Sequence, residues 1–214
     1  MFEQLRSRSP ERRCVSTLRG DESGFTLIEL LISSLIMSLV LGGSVALATQ
    51  VQRAYQMDLD NVAVEQEARY ALDWIARELR SAASDPYGVI PVDQRIWIDP
   101  NGGAVADDSI RIQADINPVD GDIADPGENV TIDLNGGSIR RRDVNNGNVA
   151  LPMTDAIFTD LGFTFLDASR TPTADSTLVA YIGVTVTAQS RGRNFYTGGN
   201  TSSTLSTDVR VRTR

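Results

Sequence analysis

The sequence predicts an α+β protein in which a long N-terminal α-helix carries an antiparallel β-sheet domain. Three observations predict it. Residues 25–48 form an apolar run with a single carboxylate, Glu29, inside it. From Val51 onward, apolar residues continue at helical spacing until Asp85-Pro86. Beyond Pro86 the chain changes to short alternating runs separated by Gly, Pro, Asn and Asp. The predicted boundaries are a leader over 1–24, a helix over 25–84 with a transmembrane segment at 25–48, and a β domain over 85–214.

The apolar run comes first. As a helix rising about 1.5 Å per residue it is roughly 36 Å long, enough to cross a hydrocarbon core of about 30 Å. A plain membrane span has no need of a glutamate. An ionised carboxylate near the bilayer centre costs roughly 2.5–3.5 kcal/mol, so Glu29 reads as a functional residue. A cut after Gly24 would give Phe25 a free α-amino group with a pKa of about 8. That charge could pair with Glu29 in the same chain or in a neighbour. Two plainer readings compete. A secretory signal could end at Ala46-Leu47-Ala48, although its apolar region is usually about 7–15 residues. A simple single-span anchor explains the length but leaves Glu29 unpaired.

The second half of the helix is amphipathic. Val51, Tyr55, Leu59 and Val62 step by four and three. Val64, Ala68, Leu72, Ile75, Leu79 and Ala82 repeat similar steps, with Glu65, Glu67, Arg69, Asp73, Arg77 and Arg80 largely off the stripe. Asp85-Pro86 ends the pattern, because the residue before a proline avoids helical angles. A helix from 25 to about 84 would be roughly 90 Å long. Gly42-Gly43 interrupts it, either for close helix packing or as a hinge.

Strands are predicted next. Residues 95–98 and 109–113 alternate. Residues 130–134 also alternate, and Asn135-Gly136-Gly137 turns the chain into Ser138-Ile139-Arg140 as a hairpin. Residues 158–166, 178–188 and 209–211 read as later strands, while 167–177 and 190–203 read as exposed loops. Short connections make the pairing antiparallel.

Gly24-Phe25-Thr26-Leu27-Ile28-Glu29-Leu30 followed by an apolar helix resembles the signature of type IV prepilins. Pilins, minor pilins and type II secretion pseudopilins share it. The resemblance implies that prepilin peptidase cuts between Gly24 and Phe25, that Phe25 is N-methylated, and that Glu29 serves assembly. It also implies a single pass through a bacterial inner membrane, with the C-terminal domain in the periplasm. The mature subunit would then join other major and minor pilins in a hetero-oligomeric filament at the cell surface. Asp21 and Glu22 depart from the basic residues usual before the family's cleavage glycine. Further along, residues 68–80, the hairpin ending at Ile139-Arg140, and Val184–Ala188 followed by Arg191 resemble minor pilins of the PilW kind. Pseudopilins of the GspJ kind share much of this layout. The resemblance therefore implies a minor type IV pilin precursor. The alternatives are a type II secretion pseudopilin and, in another class, a membrane-anchored binding module that never polymerises.

Composition narrows the chemistry. The chain has no His, and its one Cys, Cys14, lies in the leader. The mature chain thus lacks the side chains most used for zinc and for general-base catalysis near neutrality, and an enzyme is not expected. The net charge is −8. Arg6, Arg8, Arg12, Arg13 and Arg19 against Glu3, Glu11, Asp21 and Glu22 put the leader at +1, so the remainder carries −9. That balance argues against nucleic acid as a partner. Arg140-Arg141-Arg142 reads as strand residues offsetting an acidic surface.

One acidic loop is a candidate metal site. Asp115, Asn117, Asp120, Asp122 and Glu128 approximate the oxygen-donor order of a calcium loop, with Gly121 inside it. Asp120 falls one residue late and Glu128 lies too far downstream, so a solvated acidic loop is the competing reading. Calcium is the only cofactor the sequence suggests.

Overall fold

The structure, a computed structural model, describes residues 24–98, 108–193 and 198–211. The expected leader lies outside them except for Gly24. The chain divides into two compact units, residues 1–49 and 50–214.

Helix α1 runs over Leu27–Ser81, 55 residues. It starts two residues later than expected because Thr26 caps it instead of joining it. It also stops before the expected residue 84. Ala82 N donates to Leu79 O at 3.2 Å and Ser84 N to Ser81 O at 3.1 Å, the tighter bonding of a closing turn. Ala83 then takes a left-handed φ of 60° and its N–H leaves the helix for Gln113 O at 3.0 Å. Gly42 and Gly43 are both helical.

Within the second unit, α1 buries Val64, Ala68, Ala71, Leu72, Ile75, Ala76 and Leu79. The alanines let the sheets approach closely, and the larger side chains fill the core between. Trp74 packs partly buried against the same cluster.

Among the described residues eight strands follow: β1 (Ile96–Ile98), β2 (Ser109–Gln113), β3 (Asn129–Asn135), β4 (Ser138–Asp143), β5 (Ala150–Pro152), β6 (Phe158–Leu166), β7 (Tyr181–Arg193) and β8 (Asn200–Arg210). The first five form one sheet in chain order and the last three form another, all paired antiparallel. Period-two alternation decides the faces. Ile96, Ile110, Ile112, Val130, Ile132 and Ile139 of the first sheet are buried. Phe163, Leu161, Ile182, Val184 and Val186 of the second join them in one core with the helix. Asn135 pairs with Ser138, so β3 and β4 turn on Gly136 and Gly137 alone. Both have positive φ, 60° and 80°, as a type I′ hairpin requires.

Two sequence expectations change here. Of the expected loop over 190–203, residues 190–193 belong to β7 and 200–203 to β8, while residues 194–197 lie outside the described set. Apolar alternation shows only the end of β8, read as a strand at 209–211, because its earlier inward positions are Thr201, Ser203 and Leu205, small or half-buried residues. The amphipathic stripe also divides. Its C-terminal members from Val64 onward are buried, whereas Val51, Tyr55, Leu59 and Val62 are 62%, 64%, 50% and 51% exposed.

Candidate processing and assembly site

Gly24 and Phe25 precede the helix in irregular backbone, and Phe25 is 83% exposed. The next residue sets the local geometry. Thr26 N donates to Glu29 Oε2 at 2.9 Å, and Thr26 Oγ1 donates to the same oxygen at 2.8 Å. In return Glu29 N reaches Thr26 Oγ1 at 3.3 Å, and Leu30 N donates to Thr26 O at 3.2 Å. This is a capping box, in which a Thr at the N-cap and a Glu three residues on satisfy each other's backbone amides. The first turn of a helix leaves N–H groups without partners, and such groups are costly in lipid. Glu29 also places its negative charge at the positive end of the helix dipole. The Thr-x-x-Glu spacing signals this box. The sequence reading, centred on pairing Glu29 with the Phe25 amine, passed over Thr26.

The apolar segment behind the box is suited to an apolar surrounding. Among the described residues, α1 is the one helix long and apolar enough to cross a membrane. Leu27, Leu30, Leu35 and Leu39 are all exposed. Three of its serine hydroxyls bond back to the helix. Ser34 Oγ donates to Leu31 O at 2.8 Å, Ser38 Oγ to Ser34 O at 2.6 Å, and Ser44 Oγ to Val40 O at 2.8 Å. Gly42 and Gly43 have open space where a side chain would stand.

The acidic loop's carboxylates accept bonds from its own backbone. Glu128, 1% exposed, accepts from Ile116 N at 3.0 Å and Asn117 N at 3.2 Å on Oε1, and from Asp125 N at 3.1 Å on Oε2. Asp115, fully buried, accepts from Gly121 N at 3.1 Å on Oδ2. Asp120 Oδ1 accepts from Asp122 N at 3.0 Å, and Asp122 Oδ1 accepts from Ile123 and Ala124 N. Four of the acids thus accept from the loop's own amides. Among the described residues no group of three or more acidic, His or Cys side chains is placed to hold a metal ion. One buried oxygen of the loop, Asp115 Oδ1, has no hydrogen-bond partner. Asn145 and Asp143, residues the sequence reading did not single out, brace the loop from β4's end. Asn145 Nδ2 donates to Ile123 O and Asp125 O at 2.6 and 2.9 Å, and Gly127 N donates to Asp143 Oδ2 at 2.7 Å. Asp125 has its pKa raised, first by burial and then by the charges of Asp120, Glu128, Asp122 and Asp115.

The three consecutive arginines are paired structural residues. Arg140 grips Asp133 with two bonds at 2.8 and 2.9 Å, and Arg142 adds a third at 3.3 Å. Arg141, on the opposite face of β4, reaches Glu78 of α1 at 2.9 Å.

A family model described as a prokaryotic N-terminal methylation motif matches residues 19–45. The matched stretch contains Gly24, Phe25, Thr26, Glu29 and most of the apolar segment. This motif points to a type IV prepilin-like protein, processed by prepilin peptidase and assembled with other pilin-like chains, and to a structural subunit instead of an enzyme. Together with the apolar helix it fits anchoring in an inner membrane. No curated protein and no solved structure matches the chain.

Proposed function

We propose that this chain is a minor type IV pilin precursor of the PilW kind, a structural subunit that helps initiate or joins a pilus filament. The observation that supports it most is the methylation motif over 19–45, which sets Gly24-Phe25 directly before an exposed apolar helix. Cleavage after Gly24 and methylation of Phe25 would create a cationic amine beside the capping box. Glu29 Oε2 holds Thr26, and Oε1 is the oxygen open to that amine or to a neighbour's. The pair would fix axial register and neutralise a charge that lipid or a filament core would penalise. The β domain would stay in the periplasm and then at the cell surface.

Mass spectrometry of the mature N-terminus tests the first step. Methylated Phe25 is the expected first residue, and recovery of Thr49 instead would make the segment a secretory signal. Sheared filaments test the second. The subunit is expected in pilus fractions, and loss of the gene should reduce piliation. Loss of protein secretion with normal piliation would reassign the chain to the GspJ kind. Correct cleavage with no filament incorporation would make it a membrane-anchored module.

A further inference from the structure

We propose that the outer face of the first sheet holds a binding site for a carboxylate ligand, centred on Arg111 and bounded by Trp97, Thr131 and Arg142. The proposal goes beyond the filament reading and does not depend on it. Strand register places the four residues in one row: Trp97 pairs with Arg111, Arg111 with Thr131, and Thr131 with Arg142. They alternate with the buried Ile96, Ile110 and Ile132, so they project from the face opposite the core. Two strand spacings of about 4.8 Å put the Cα atoms of the two arginines roughly 10 Å apart, with Thr131 between them. Trp97 is 37% exposed, which leaves part of its ring beside the row.

Arg111 is held so as to present its fork. Its Cζ lies 4.4 Å from the centroid of the Trp97 ring, and its Nε donates to Asn129 Oδ1 at 2.7 Å. The stack sets the guanidinium plane and the Nε bond sets its rotation. Both Nη groups remain as donors to a planar oxyanion. Among the described residues no carboxylate pairs with Arg111, and burial lowers its pKa with no neighbouring charge opposing the shift. Arg170 supplies the contrast: it stacks on Tyr181 at 4.9 Å, but Asp208 lies 3.6 Å from it. Asp133, on the same face as Arg111, is already shared by Arg140 and Arg142. Other polar groups are also left over. Ser109 Oγ, Gln113 Oε1 and Arg142 Nε are buried without a hydrogen-bond partner, and all three residues belong to this face. Water is the competing occupant, but it cannot neutralise Arg111. The chain's net charge of −8 repels a dianion more than a monoanion, which favours carboxylate over phosphate. The carboxylate belongs either to an acidic sugar, whose ring would pack on Trp97, or to a small carboxylic acid.

The test uses the full chain in detergent micelles, titrated by calorimetry with D-glucuronate, acetate, inorganic phosphate and glucose. Saturable binding is expected from glucuronate and acetate, at least tenfold weaker binding from phosphate, and none from glucose. Arg111→Gln should weaken carboxylate binding at least tenfold. Arg111→Lys keeps the charge without the fork and should lose nearly as much, whereas Arg170→Gln should change nothing. Glucuronate at least tenfold tighter than acetate, with the margin lost in Trp97→Ala, makes the ligand an acidic sugar. Equal affinities make it a small carboxylic acid. No saturable heat, equal binding of glucose, tighter binding of phosphate, or carboxylate binding that survives Arg111→Gln would overturn the proposal. Circular dichroism checks the folding of each variant. A second readout leaves Arg111 in place: Trp74 and Trp97 are the chain's two tryptophans, so Trp74→Phe isolates the emission of Trp97. That emission should change saturably with glucuronate, and a constant emission would count against the site.

Discussion

Thr26 and Glu29 close the first turn of α1 on each other, with both Thr26 donors on one carboxylate oxygen at 2.9 and 2.8 Å. Glu29 caps the helix through Oε2, and under the proposed function its charge would also pair with the Phe25 amine. Substitution can separate them. Glu29→Ala removes both, and should leave membrane insertion intact or improved while filament incorporation falls. Glu29→Gln keeps a capping acceptor but loses the charge, and should also fail to incorporate. Thr26→Val keeps the charge and weakens the cap by about 1 kcal/mol, so a partial loss is expected. Immunoblots of membrane and sheared-filament fractions measure all three. Full incorporation of Glu29→Gln would leave capping as the only duty.

The two halves of the helical stripe should respond differently in a fragment covering 50–214, which forms one compact unit. Ile75 is fully buried and Leu59 is 50% exposed. Ile75→Ala should cost about 2–5 kcal/mol through lost burial and a cavity. Leu59→Ala should change stability by no more than about 0.5 kcal/mol, since nothing in the fragment covers it. Circular dichroism melts of the two variants check the contrast. A disordered parent fragment, or equal losses, would contradict the packing described.

Acid should act on the domain through Asp85. Burial pushes its pKa up, but the amides of Val89 and Ile90 and the Arg95 guanidinium outweigh burial, leaving it below the ordinary value. A carboxylate lowered by folding contributes stability above its unfolded pKa of about 3.9, and that contribution is lost as pH falls through the folded value. Asp167 and Asp175, held low by hydrogen bonds from Ser169 and Thr177 first, have the same sign. Asp125 has the opposite sign: its raised pKa makes ionisation a liability as pH rises. Asp85→Asn should lower the thermal midpoint at pH 7, and the gap should close as acidification below the ordinary Asp value of about 3.9 protonates Asp85. Asp125→Asn should raise the midpoint at pH 7, with that gain shrinking as Asp125 becomes protonated. Midpoints recorded from pH 2 to 7 show both trends.

The helix and its sheet were legible because burial leaves a period in the sequence. Val64, Ala68, Leu72, Ile75 and Leu79 repeat at helical spacing, and Asn135-Gly136-Gly137 spells out a turn that needs positive φ twice. Only the end of the edge strand β8, around Val209, was legible. The Ser and Thr residues before it carry no apolar alternation, so the rest of β7's partner emerged only from register. The stripe's division at Val62 was also hidden, since spacing says which residues share a face but not where the covering sheet ends. For the acidic loop, composition suggested free carboxylates. Asp120 and Asp122 take amides one or two residues on, but Glu128 takes amides 3 to 12 residues away and Asn145 holds the carbonyls of Ile123 and Asp125, distances that no local pattern reports.

That accounting decides what Glu128 is expected to do. Its carboxylate takes three backbone amides at 3.0 to 3.2 Å while 1% exposed. Glu128→Ala would leave buried donors unsatisfied, at about 1–3 kcal/mol for each group that water cannot reach. Calcium remains a proposal for the same loop, carried by the unpartnered Asp115 Oδ1. An ion would compete with amides for the oxygens of Glu128 and for Asp115 Oδ2, so its affinity should sit at the weak end, about 10⁻⁴–10⁻³ M. Ten times that dissociation constant would add only about 1.4 kcal/mol by mass action. The expected ranking is a loss from Glu128→Ala larger than any difference between calcium and chelator. Thermal melts of the 50–214 fragment, with Asp115→Asn as the variant that should abolish a calcium shift and Asp155→Asn as the control, measure it. A calcium gain exceeding the Glu128→Ala loss would mean that the loop's carboxylates serve an ion before they serve the backbone.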